Sequence, residues 1–164
     1  MRASRGPGPE RRALQSALAA EHAAIYGYGV AGAHLTGARR RAAQRNWTAH
    51  QLARDSLEAE LTSVGARPVA AQAAYQLPFP VRGHSAAITL AAFLEDRVAT
   101  AYLGLVALDD PRLRAWGARQ VRASALRSTA WTGRSAAFPG LSAASPGLAA
   151  TAAGAASPRP SAAP

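Results

Sequence analysis

Apolar residues recur along this chain at alternating steps of three and four, which is the signature of helices that bury one face. The first such stripe is Leu14, Leu18, Glu21, Ile25, Tyr28, Gly32 and Leu35. It predicts a helix from about Glu10 to Thr36, with Pro9 at its start and Gly37 just past its end. A second stripe, Trp47, His50, Leu57, Leu61 and Val64, predicts a helix from about Ala38 to Val64, stopped by Gly65. A third helix is expected after Ser85, read as its N-cap, and reaches about Leu108. Its stripe is Ile88, Ala91, Glu95, Val98, Tyr102 and Leu105. Asp110 and Pro111 then announce a fourth helix, ending near Thr132 before Gly133. Its stripe, Leu113, Gly117, Gln120, Ser124, Arg127 and Trp131, is the most polar of the four.

The connections set the topology. Short turns at Gly37 and at Asp109–Pro111 make antiparallel hairpins of helices one and two and of helices three and four. The stretch Ala66–His84 holds Pro68, Pro78 and Pro80 and is long enough to span a bundle end to end. The predicted fold is all-α: an antiparallel four-helix bundle of two hairpins joined by one long crossover, the ferritin-like arrangement. It is expected to occupy residues 10–141, followed by a disordered Ala/Pro-rich tail over residues 142–164. Phe79, between two prolines, and Phe138, before Pro139, read as plugs for the bundle ends.

Three of the four stripes carry an acidic or imidazole group at matching heights, namely Glu21, His50 and Glu95. On helix four the facing level falls near Gln120, Ser124 and Arg127. These six residues are expected to meet in a polar core network, because buried carboxylates must be paired or neutralised. A di-metal centre of the ferritin-like kind takes a Glu from each of two helices and Glu-x-x-His from each of the other two. Trp47 stands where the carboxylate before His50 belongs, and no Asp, Glu or His follows Asp110. The centre is therefore read as degenerate and no cofactor is expected. The alternative is a single iron or manganese ion on Glu21, His50 and Glu95.

Composition narrows the function classes. The chain of 164 residues has no cysteine, which excludes disulfides and thiol chemistry. No apolar run is long enough for a membrane span, and no secretory leader pattern is visible, so a cytoplasmic protein without a membrane partner is expected. The net charge of +10 comes entirely from arginine, with no lysine. Nucleic-acid binding is one reading of that charge; GC-rich codon usage is the one adopted, since no basic run is interleaved with aromatics. Arg39, Arg40 and Arg41 are read as a solvated corner, with phosphate contact as the alternative. His22, about 100° round the helix from Glu21, is read as a solvated or interface side chain. His34 and His84 are expected to face water. Gly27, Gly29 and Gly32 are read as packing positions, and Tyr26, Tyr28 and Tyr102 as core or interface aromatics.

Four segments carry a resemblance: ALAAEHAAIYGYGVAGAHL (17–35), AAYQLPFPV (73–81), LEDRVATAY (94–102) and AFPGL (137–141). In this order and spacing the chain resembles the actinobacterial ferritin-like domain family of unknown function 4439 (DUF4439). The resemblance spans roughly residues 12–141 and implies a ferritin-like fold with no established activity. The sequence reading is thus a non-enzymatic structural or interaction module. A homodimer is a further expectation, by analogy with related bundles and from the small residues around helix one. A metal-dependent oxidoreductase or iron-handling protein and a DNA-associated basic bundle are the rivals.

Overall fold

A computed structural model describes residues 8–135 and Leu141. The tail over residues 142–164 and Phe138 with Pro139 lie outside the described residues. Four helices follow in order: α1 (Pro9–Ala33), α2 (Gly37–Ser63), α3 (His84–Val106) and α4 (Pro111–Thr132). No strand occurs among the described residues. α1 packs on α2 and on α3, and α3 packs on α4. The pairings run antiparallel. Gly27 of α1 meets Leu94 of α3, while Gly104 further along α3 meets Ala13. α2 and α4 are tied at both ends. Arg112 grips the Glu60 carboxylate through two guanidinium nitrogens, and Arg39 donates to the Ala130 carbonyl at 2.8 Å while lying over the Trp131 ring. The four-helix bundle of two hairpins and one crossover is therefore present.

The punctuation acts through specific atoms. The Asp110 carboxylate accepts from the backbone N–H of Arg112 and Leu113, satisfying two orphan donors at the start of α4. Gly65, at φ 68°, takes the left-handed conformation that stops α2. Three boundaries differ from expectation, one of them the end of α3, at Val106 rather than Leu108. α1 ends at Ala33 rather than Thr36 because His34 and Leu35 bond back to Ala31 and Gly32. That tighter spacing turns Leu35 into the core at 2% exposure. α3 begins at His84, so Ser85 lies inside its first turn and caps nothing with its side chain.

The α1 core follows the predicted stripe at Leu14, Leu18, Glu21, Tyr28 and Leu35, and widens onto Ala17, Ala24 and Ala31. Of the predicted stripe, Ile25 and Gly32 are half-buried. Ala17, Ala24 and Ala31 face the neighbouring helices because their small side chains permit close approach. Val64 is 45% exposed, since it sits past the end of α2. Trp47 and Ile88 are half-buried against the upper core. Gly117 is a genuine close-approach position: a Cβ there would stand 2.8 Å from the Leu105 Cβ and 3.0 Å from the Tyr102 carbonyl. Gly27 is pressed by the Leu94 side chain, but Gly29 and Gly32 face open space and are not packing positions.

The crossover lies along α1. Gln15 donates to the Arg67 carbonyl at 2.7 Å and accepts from the Val69 N–H at 2.8 Å. His22 is buried beneath this strap, with Nε2 3.1 Å from the Val69 carbonyl. The expected solvated His22 is thus corrected: the crossover covers the face of α1 on which it lies. His34 and His84 are exposed. Tyr26 packs on Tyr75 of the crossover, and Phe79 packs against the upper core.

Candidate functional site

Each helix delivers one part of a buried polar cluster at mid-bundle. α1 brings Glu21 and, two turns on, Tyr28; α2 brings His50; α3 brings Glu95; α4 brings Ser124 and Arg127. Glu21, His50, Glu95 and Ser124 are each 1% exposed or less. His50 stands between the two carboxylates. Its Nδ1 is 2.6 Å from Glu21 Oε2, and its Nε2 is 3.3 Å from Glu95 Oε1. Arg127 donates from Nε to the same Glu95 oxygen at 2.9 Å and from an NH2 nitrogen to Ser124 Oγ at 3.1 Å. The guanidinium remains partly solvated, at 20% side-chain exposure. Gln120 is half-buried and makes no hydrogen bond to the cluster among the described residues. It sits about two turns of α4 from Arg127, too far for its short side chain to reach Glu95.

A second layer extends the cluster upward. The Tyr28 hydroxyl donates to Glu95 Oε1 at 2.6 Å. It accepts from Trp131 Nε1 at 2.9 Å and from Asn46 Nδ2 at 3.1 Å. Its ring also packs on the His50 imidazole. Tyr28 and Trp131 were visible as stripe residues but not as members of the network. Asn46 was missed entirely, although it precedes His50 by four residues and therefore shares its face.

The electrostatics follow from this geometry. Burial alone would lower the His50 pKa. The hydrogen bonds and negative charges of Glu21 and Glu95 outweigh it and raise the value from 6.5 to about 9. At neutral pH His50 is an imidazolium, and both ring N–H groups donate. Burial likewise opposes ionisation of Glu95. The hydrogen bond and charge of His50, then those of Arg127, hold its pKa below the ordinary carboxylate value. Burial, with Glu95 alongside, raises the Tyr28 phenol; burial, with Glu21 alongside, raises that of Tyr102. Glu95 is thus paired with two cations, the His50 imidazolium and the Arg127 guanidinium. Glu95 Oε2 and the Tyr102 hydroxyl are buried without a hydrogen-bond partner among the described residues.

The fit of a metal is decided by the ring. A ligating histidine gives one nitrogen to the ion and the other to an outer partner. Here each nitrogen is spent on a different carboxylate, so Glu21 and Glu95 lie on opposite edges of the imidazole and share no common centre with it. Glu95 Oε1 is further engaged by Tyr28 and Arg127. Among the described residues, no group of three or more His, Asp or Glu side chains is arranged to hold a metal ion. None of the helices is long and apolar enough to cross a membrane.

The sequence model of a family described as "Domain of unknown function (DUF4439)" matches residues 13–143. Among solved structures, the chain is similar to a conserved hypothetical protein, rv2844, from Mycobacterium tuberculosis. The TM-score is 0.75 and the identity 31%, over 79% of this chain and 98% of that one. No curated protein matches.

Proposed function

The chain belongs to the DUF4439 family of domains of unknown function, and from that premise we propose that it is a non-enzymatic structural or interaction module. In this reading the bundle is ferritin-like, and a cluster of side chains stands where relatives of that architecture would hold a di-metal centre. The observation that carries it is the His50 imidazole between Glu21 and Glu95, with Arg127 as the second cation. Positive charge that metal ions would bring is supplied by an imidazolium and a guanidinium. The carboxylates are almost wholly buried, so a substrate has no open route to them.

The test is elemental analysis of protein purified without chelator, before and after incubation with ferrous iron or manganese. Metal well below one ion per chain is expected, unchanged in Glu21→Ala. Stoichiometric iron or manganese that is lost in Glu21→Ala would overturn the reading.

A further inference from the structure

We propose that the cleft between α1, α3 and the crossover binds a small organic anion with an apolar body, an aliphatic or aromatic carboxylate whose head group sits on Arg97. The cleft encloses about 780 Å³, within the ~300–1,000 Å³ typical of small-molecule sites. Ala19 and Ala23 of α1 and Ala101 of α3 line the floor without bulk, so the groove over the seam of the two helices stays open. Leu77 of the crossover and Phe93 of α3 wall it, and Phe93 is 38% exposed, an aromatic ring presented to the opening. The crossover wall is held in place by the Tyr26–Tyr75 ring contact and the Gln15 clamp.

Charge selects the occupant. Arg97 is the one charged residue in the lining, and it makes no ion pair or hydrogen bond among the described residues. A lone guanidinium beside apolar walls suits a carboxylate with a hydrocarbon or aromatic body. The net charge of +10 draws anions to the surface and disfavours both an organic cation and a second copy of the same basic chain in the cleft. This site lies outside the buried cluster and does not depend on its charge state.

Isothermal titration with dodecanoate, at concentrations where it is monomeric, provides the test, with dodecyltrimethylammonium as the cationic control. One dodecanoate per chain is expected, and no saturable binding of the cation. Arg97→Ala should weaken dodecanoate by about tenfold or more, as loss of a charged hydrogen bond implies. Ala19→Trp, at an exposed floor position, should abolish binding while leaving the melting temperature unchanged. No dodecanoate binding, equal binding of the cation, or affinities unchanged in both variants would each overturn the proposal. So would light scattering showing a dimer that Ala19→Trp dissociates, which would assign the cleft to a second copy.

Discussion

Replacing His50 by leucine is expected to lower the unfolding free energy at neutral pH by about 3–5 kcal/mol, the cost of breaking a buried ion pair from one side. The change removes the imidazolium from between Glu21 and Glu95 and leaves both carboxylates in a site that is 1% exposed or less. Arg127 still reaches Glu95, but no cation reaches Glu21 through a hydrogen bond among the described residues. In a chain of this size the loss corresponds to roughly 10–20 °C in melting temperature. Urea unfolding followed by circular dichroism measures it. The penalty belongs to the stranded charges and not to the lost ring. The double variant Glu21→Met, His50→Leu should therefore recover most of it, because no carboxylate is then left without a cation and Glu95 keeps its bonds from Arg127 and Tyr28. A single His50→Leu loss below about 1 kcal/mol would mean that the cluster is not held by ionic pairing.

The second large effect is on the alkaline side of neutrality. The His50 pKa lies at about 9 in the folded chain against 6.5 ordinarily. Folding therefore favours the protonated ring. The resulting stability is fully present below pH 6.5 and is lost as the pH rises through about 9. At about 1.4 kcal/mol per pH unit, this amounts to about 3 kcal/mol across that window. Glu95 acts in the opposite sense, because its folded pKa is depressed. Its contribution is present above the ordinary carboxylate value and is lost as the pH falls through its folded value. Stability should therefore peak on the acid side of neutrality. Urea midpoints measured from pH 4 to 10 give the profile. In His50→Leu the decline between pH 6.5 and 9 should disappear, and a decline that persists unaltered would assign it to another group.

The architecture was legible in the sequence because its punctuation is chemically explicit. Gly65 is free to take the left-handed turn, the Asp110 carboxylate caps α4 and Pro111 fixes φ at its first position, and together they fix where the chain turns. The facing of Glu21, His50 and Glu95 was legible for a related reason: equal distances from a turn place residues at equal height in an antiparallel hairpin. The full width of the α1 core was not. The stripe includes Ile25 and Gly32, which stay half-buried, while the helix turns Ala17, Ala24 and Ala31 inward as well, since contact distance and not side-chain size decides which face is covered. His22 was misread for want of a tertiary fact, the path of the crossover over α1. Asn46 and the role of Tyr28 depend on which polar atoms converge in space, and a stripe of spacings records only which face they share. Gln120 shows the converse, a residue on the predicted stripe but at the wrong height along α4.

The central claim is that an imidazolium, donating from both nitrogens, joins the two buried carboxylates. Nitrogen–proton correlation spectra of the His50 ring, recorded from pH 5 to 11, test it most directly. Two protonated ring nitrogens at pH 7, a titration at about 9, and no selective broadening when one equivalent of manganese is added are expected. A neutral ring at pH 7, or a His50 signal erased by stoichiometric manganese, would contradict it.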